Sequence, residues 1–187
     1  MRNLIIEIIL TLILTLFGYV YTVYRLSGQP FAAMTMPDFI PRGRNRKLYI
    51  AVSLLLGIAV SASLTYVYSA SELLHHVKLL ILVMFIVPMA AIDHVRQVIP
   101  NALVLAAIVL RFLYAGLELI LNTSEALEIM KSAAIGALVI GGFFLILSFI
   151  MKNSIGMGDV KLFFVMGLYQ GIWGAANAVF FSLLVSF

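Results

Sequence analysis

Two aspartates stand beside apolar stretches, where a carboxylate is costly and therefore informative. Asp93 follows the apolar residues 77–92, and Asp159 lies within "IGMGDVKL", residues 155–162. Two carboxylates held a few ångströms apart cannot both ionise comfortably, so such a pair holds one proton over a wide pH range. The ionised member can take a proton from water attacking a peptide carbonyl, while the protonated partner hydrogen-bonds that carbonyl and later protonates the leaving nitrogen. Asp93 and Asp159 are therefore candidates for an aspartic peptidase pair.

Each segment also has a plainer interpretation when it is taken alone. Asp93 could be an interfacial polar residue at a helix terminus, which costs little. Gly156 and Gly158 could form a tight turn before Asp159, because glycine lowers helix propensity and lets backbone approach closely. The aspartates could also bind cations or protons in a non-enzymatic transporter. These alternatives stay open on the two segments alone.

The composition indicates a membrane protein. Of the 187 residues, 64% are hydrophobic and only 11% are charged, whereas charged residues make up about 25% of soluble domains. Continuous apolar runs of about 20 residues predict transmembrane helices, because barrel strands would alternate with a period of two. The runs cover about residues 4–24, 48–68, 77–92, 102–121, 133–151 and 162–186. The sequence therefore predicts an all-α polytopic bundle of about six transmembrane helices.

Both chain ends and the cysteine count add expectations. The first run is too long for a signal peptide and lacks a small-residue cleavage site, so we expect a retained helix. The last residues, "FFSLLVSF", contain no polar anchor, which suggests a compact or shortened chain. The chain has no cysteine, so disulfides and thiolate metal ligands are excluded. The sequence predicts no cofactor and no metal site.

Loop charges predict the orientation in the membrane. The first loop, about residues 25–47, has a single acid, Asp38, which we expect to be solvated, against Arg25, Arg42, Arg44, Arg46 and Lys47. Loops three and five are also basic and the even loops are not: loop three carries Arg96 and loop five Lys152 and Lys161, whereas loop two balances Glu72 against Lys78 and loop four has Glu125 and Glu128 against Lys131. The positive-inside rule places the odd loops in the cytoplasm and the amino terminus outside. Asp93 and Asp159 then share the cytoplasmic face. We expect the first loop to contact anionic lipid headgroups rather than nucleic acid.

Polar neighbours of the aspartates suggest further roles. In "MAAIDHVRQVIPNALV", residues 89–104, Pro100 stops or starts a helix and Asn101 can cap or turn the backbone. His94 follows Asp93 directly, and Lys161 lies two positions after Asp159. A nearby cation favours an ionised carboxylate, so either residue could tune the pair or simply be an interfacial charge.

Taken together, "DHVRQVIPN" and "GMGDVKL" resemble the type IV prepilin peptidases, membrane aspartyl proteases of the G-x-G-D class. The resemblance covers about residues 80–186 and implies that Asp93 and Asp159 are the catalytic pair. G-x-G-D alone is shared with presenilin-like intramembrane proteases, the alternative within proteases, but no Pro-Ala-Leu triplet of their kind is present. The resemblance also implies four substrate-binding or loop residues: Gly156, Gly158, Pro100 and Asn101.

The same resemblance implies the substrate and the cellular location. Prepilins and pseudopilins of type IV pilus and secretion systems carry a short basic leader that ends in glycine, followed by a hydrophobic helix. Cleavage at this boundary requires carboxylates at the cytoplasmic face of the cell membrane, the face that the charge pattern indicates. Substrates and membrane lipids are the expected partners, and the oligomeric state is open.

The amino-terminal half resembles the family through "FGYVYTVYRL", residues 17–26, and through "DFIP" and "RGR" in the first loop. Larger members carry paired C-x-x-C motifs there, a zinc site linked to N-methylation of the product. Without cysteine, N-methylation is doubtful, and both a peptidase-only enzyme and a bifunctional one with a reduced loop stay open. We expect residues 1–76 to form the reduced counterpart of that region and residues 77–187 the peptidase core.

Other polar residues in the apolar runs are predicted to be structural. Arg111 and Glu118 lie seven residues apart on roughly one helix face, a spacing too long for i,i+4 pairing, and we prefer a structural role to an ion pathway. His75 and His76 are expected in a solvated turn. Three glycines of the fifth run are expected to let helices pack closely: Gly136, Gly141 and Gly142.

Overall fold

A computed structural model describes residues 2–41, 43–67, 73–121, 123–151 and 156–186, and no strand occurs within these ranges. The α-helices of this part of the chain are α1 (Arg2–Ser27), α2 (Arg44–Val67), α3 (Leu73–Arg96), α4 (Asn101–Leu121), α5 (Thr123–Gly136), α6 (Gly142–Ile150) and α7 (Met157–Ser186). A π-helical segment, Ala137–Gly141, joins α5 to α6. Two short 3-10 turns, Phe31–Ala33 and Met36–Phe39, lie in the first loop. The predicted all-α class is confirmed.

Six helical stretches within the described ranges are long and apolar enough to cross a membrane: Ile5–Ser27, Arg44–Ser63, Leu73–Arg96, Asn101–Leu121, Glu125–Ile150 and Met157–Ser182. Each overlaps one of the predicted runs, and the chain is therefore a multi-pass membrane protein. The fifth stretch combines α5, the π-helical segment and α6. Three charged residues of the loop comparison lie outside the described residues: Arg42, Glu72 and Lys152.

The chain contains two compact units, Met1–Val98 and Ile99–Phe187. The first contains α1, α2 and α3, and the second contains α4 to α7. These units reflect packing within each part of the chain. The functional division predicted between residues 76 and 77 stays a prediction.

In the first unit, α1, α2 and α3 all contact one another. Helix α3 supplies the most buried apolar side chains, with Leu80, Leu82 and Met89 each 1% exposed. A Cβ atom on Gly18 of α1 would lie 3.4 Å from the ring of Pro88 in α3, which is an ordinary van der Waals distance. Lipid tails are as apolar as these side chains, so close packing of this kind holds membrane helices together.

A buried polar cluster also joins the three helices of the first unit. The carboxylate of Glu7 in α1 accepts a hydrogen bond from Ser61 in α2 and lies 3.1 Å from Nδ1 of His76 in α3. Glu7 and His76 are each only 2% exposed. The prediction that His75 and His76 form a solvated turn was therefore wrong, because both lie in α3 and neither is exposed. The acceptor that lets His76 be buried lies 69 positions away in sequence.

In the second unit, glycines bring helices into backbone contact. A Cβ atom on Gly136 would lie 2.7 Å from the carbonyl oxygen of Gly167 in α7, and one on Gly141 would lie 2.9 Å from the Phe164 ring. Both distances are too short for a larger residue without rearrangement. The predicted packing role is confirmed for Gly136 and Gly141. Gly142 differs, because no atom lies within 4 Å of the position a Cβ would take.

Helix α7 is interrupted at Gly171, whose φ of 70° and ψ of −175° are not helical. Glycine permits this conformation, which costs other residues strain. In an unbroken helix the Leu168 carbonyl would accept a bond from the amide four residues later. Here Nε of Arg111 donates to that carbonyl at 3.0 Å. The kink of α7 therefore has a local cause, the non-helical backbone of Gly171.

Arg111 also forms a buried ion pair with Glu118, at 2.9 Å from Nη1 to Oε2. The spacing of seven residues is too long for i,i+4 pairing, as the sequence indicated, but the two side chains pair all the same. Two helical turns separate their Cα atoms by about 10 Å, and the long arginine side chain lies along the helix and bridges them. The pairing agrees with the structural role preferred for both residues.

We expect Glu7→Ala to lower the free energy of unfolding by roughly 2–4 kcal/mol, because it removes an acceptor of buried His76 and Ser61. Denaturant unfolding in one detergent provides the measurement. Glu128→Ala is the matched control, since Glu128 is exposed on α5, and we expect a change within about 0.5 kcal/mol. Equal losses in both variants would contradict a stabilising role for the cluster.

Candidate active site

Asp93 lies in the last turn of α3, three residues before the helix ends at Arg96. Gln97 adopts a left-handed conformation, with φ of 52°, and its N–H donates to the Asp93 carbonyl at 2.7 Å. This bond is the standard left-handed cap of a helix carboxyl end. The side chain of Asp93 is half-buried. The helix dipole disfavours a carboxylate at this end, so helix stability does not explain the acid.

The carboxyl end of α3 is held against the end of α1. Nη2 of Arg96 donates to the carbonyl of Leu26 at 3.3 Å. His94, the residue predicted to tune Asp93, is exposed. Asp93 therefore lies on the same side of the first unit as the first loop, which begins after Ser27.

Asp159 is the third residue of α7. Its N–H donates to the Gly156 carbonyl at 3.0 Å, and the N–H of Val160 reaches the same oxygen at 3.4 Å. Gly156 therefore caps the helix, and Oδ2 of Asp159 folds back to within 3.4 Å of where a Gly156 side chain would begin. The carboxylate is exposed. A negative charge is favourable at a helix amino end, so Asp159 also stabilises the start of α7.

This position differs from the loop that the sequence suggested for G-x-G-D. Met157, Gly158 and Asp159 form the first turn of α7, and only Gly156 precedes the helix. The two glycines do not adopt positive φ angles. Gly158 instead permits close packing, because a Cβ there would lie 3.2 Å from the Ile99 side chain.

The I-P-N segment begins α4. The carbonyl of Pro100 accepts bonds from the N–H groups of Leu103 at 3.1 Å and Val104 at 3.3 Å. Pro100 thus starts a helix, one of the two outcomes predicted for it, and its missing N–H costs nothing there. Asn101 is the first helical residue, and its Oδ1 accepts a hydrogen bond from Nζ of Lys161 at 2.8 Å.

The second unit therefore brings the I-P-N segment and the G-x-G-D turn together. Gly158 packs against Ile99, and Lys161 bonds to Asn101. Ile99 was not among the predicted site residues, although its place at the start of the I-P-N triplet was a signal. Asp93 and His94 belong to the first unit. The pairing of Asp93 with Asp159 stays a prediction.

The third aspartate, Asp38, has a different environment. It is exposed, as predicted, and its Oδ2 accepts hydrogen bonds from the N–H of Thr35 at 2.8 Å and from the Thr35 hydroxyl at 2.9 Å. These bonds, the backbone one first, hold the pKa of the Asp38 carboxyl below its ordinary value. These hydrogen bonds shape the first loop and give Asp38 a structural role.

Among the described residues, no group of three or more histidine, cysteine, aspartate or glutamate side chains could hold a metal ion. The chemistry that the described residues offer is that of carboxylates at helix ends, with Lys161 two positions after Asp159 and bonded to Asn101. Proton transfer to and from a polar substrate is the reaction type that such groups support.

Fold and site together define a class: a multi-pass helical membrane protein with a G-x-G-D turn packed against an I-P-N segment. A family model described as the type IV leader peptidase family matches residues 79–187, and the chain belongs to this family. It is accordingly a membrane protease of the prepilin leader peptidase type. Neither a curated protein nor a solved structure matches the chain significantly.

We expect Gly158→Val to lower leader cleavage by about tenfold or more, because the added methyl groups overpack the contact with Ile99 by roughly 1–3 kcal/mol. Ile99→Ala removes the opposing side chain, so the double variant is expected to regain part of the lost activity. Initial rates with a prepilin substrate in detergent measure this coupling. Strictly additive losses would show that the two residues do not contact each other in the active enzyme.

Proposed function

We propose that this chain is an aspartic endopeptidase that removes the leader of prepilin or pseudopilin proteins at the cytoplasmic membrane face, with Asp93 and Asp159 as its catalytic pair. The observation that carries the proposal is the contact of Gly158 with Ile99. Asp93 precedes Ile99 by only six residues, and six residues of chain span at most about 20 Å. The contact therefore supports a shared site for the two acids.

The local environment of the two acids favours a catalytic role for Asp93 in particular. Asp38 has a structural partner in Thr35, and Asp159 stabilises a helix start. Within the described residues, no side-chain hydrogen bond or ion pair of Asp93 is found, and Asp93 lies at the helix end where an acid is unfavourable. An acid that local structure opposes is a good candidate for function.

The proposed reaction uses one proton shared between the two carboxylates. The ionised member removes a proton from water as the water oxygen bonds to the carbonyl carbon of the leader's last residue. The protonated member hydrogen-bonds the carbonyl oxygen and stabilises the charge that develops there. As the carbon–nitrogen bond breaks, a proton passes to the leaving nitrogen. The products are the free leader and the mature protein with a new amino terminus.

Two contacts support a common membrane face for the catalytic residues. In the first unit, Arg96 links the Asp93 end of α3 to the end of α1, next to the basic first loop. In the second unit, Lys161 links the start of α7 to the start of α4. Arg96 and Lys161 are cations at these ends, as expected for cytoplasmic helix ends. Whether His94 or Lys161 tunes the pKa of the pair stays a prediction. Lys161 already bonds to Asn101.

We expect Asp93→Asn and Asp159→Asn each to lower kcat/KM for leader cleavage by about 10³-fold or more, because each removes one of two proton-transfer groups. Cleavage is measured with purified enzyme and a prepilin in detergent. The mass of the new amino terminus reports the cleavage site and any methylation. Cleavage before the hydrophobic helix distinguishes the proposed activity from a presenilin-like cut inside it.

Two control variants separate catalysis from folding. Asp159→Glu keeps an acid at the amino end of α7 but displaces the carboxylate, so we expect normal stability with greatly reduced cleavage. Asp38→Asn removes an aspartate outside the pair and is expected to leave cleavage unchanged. Undiminished cleavage by either Asp93→Asn or Asp159→Asn would rule out the proposed pair.

A further inference from the structure

An apolar groove of about 350 Å³ lies in the second unit between α4, α7 and the helix formed by the π-helical segment and α6. Its walls are almost entirely aliphatic or aromatic and include Val104, Ile108, Leu138, Leu145 and Phe164. A volume of this size is at the lower end for ligand pockets. It can accept a few apolar side chains but not a whole helix.

The groove begins at the proposed catalytic turn. Met157, Val160 and Lys161 line it from the first two turns of α7, so the residues on both sides of Asp159 contribute to its wall. Phe164 continues the same stripe at helical spacing. The groove thus extends from the turn of Asp159 into the membrane-spanning part of the second unit.

The wall opposite α7 has an unusual backbone. Ala137, Leu138 and Gly141 belong to the π-helical segment and line the groove. Single π-helical turns inside α-helices occur frequently at functional sites. Gly142 follows this segment and also lines the groove, with no atom within 4 Å of its missing Cβ. Glycine at this position therefore keeps open a space that a larger side chain would fill.

We propose that this groove receives the first apolar side chains after the cleaved bond of a prepilin-type substrate, and that Gly142 sets the size it accepts. The inference rests on the proposed function. An apolar wall suits the start of the substrate's hydrophobic helix and does not suit its basic leader. Among the described lining residues Lys161 alone is charged, and it repels a basic leader at the mouth. Hence the leader and the helix lie on opposite sides of Asp159.

The first test fills the groove. We expect Gly142→Leu to lower kcat/KM about tenfold or more for a substrate with large apolar residues after the cut, since one or two methylene groups decide fit in such a pocket. The variant should cleave substrates with alanine at those positions faster than substrates with large apolar residues there. Gly116→Leu in α4 is the matched control, because Gly116 also has open space around it but does not line the groove. Its cleavage should match the wild type.

The second test reports binding without cleavage. A photoreactive residue in place of Leu145, in the Asp159→Asn background, should crosslink to the substrate within the first residues after the leader. Crosslinks to lipid alone, or unchanged substrate preference in Gly142→Leu, would overturn the groove inference and leave the proposed function standing. Substrate crosslinks from the groove with no cleavage by the wild type would instead overturn the proposed function, and the inference that rests on it.

Discussion

The cost of an unpaired polar group in lipid is the constraint on which this structure depends. Helices satisfy their own backbone, and the polar side chains within them need partners that the chain itself supplies. Glu7 of α1 pairs with His76 of α3, and Arg111 pairs with Glu118 and donates to the Leu168 carbonyl near the interruption of α7. These pairs account for charges that would otherwise suggest an ion pathway. Among the described residues, Asp93 and Asp159 are acids at helix ends that lie outside these pairs.

Hydrophobicity and charge predicted the helices, and the motif pair predicted the family. The remaining features depend on contacts that no local pattern encodes. His76 seemed solvated because its acceptor is remote in sequence, and the Arg111 pair was not predicted because helix spacing rules ignore the length of an arginine side chain. The interruption at Gly171 has no local signal beyond a glycine. The start of α7 before Asp159 was missed because glycines argued for a loop, whereas the Gly156 carbonyl caps a helix.

The second unit combines a fixed G-x-G-D turn with an apolar groove beside it. In the second unit the G-x-G-D turn is fixed by the packing of Gly158 on Ile99 and by the bond between Lys161 and Asn101. Both contacts involve the start of α4, so one short segment positions the turn that carries Asp159. Beside that turn, a groove bounded by a π-helical segment offers an apolar surface. This change of polarity beside Asp159 agrees with the proposed cleavage between a charged leader and a hydrophobic helix.

The central claim is that Asp93 and Asp159 face each other across one shared site. Because the chain has no native cysteine, replacing both residues with cysteine gives a proximity test without background. Disulfides require Cα atoms about 4.4–6.8 Å apart, and a short bifunctional thiol reagent extends the reach slightly. We predict that cysteines at positions 93 and 159 (Asp93→Cys with Asp159→Cys) crosslink, detected by mass as a joined peptide. The control pair Glu128→Cys with Asp159→Cys should not crosslink, because Glu128 lies near the opposite end of the span Glu125–Ile150 that leads to α7. Failure of the first pair to crosslink under both conditions would contradict the account.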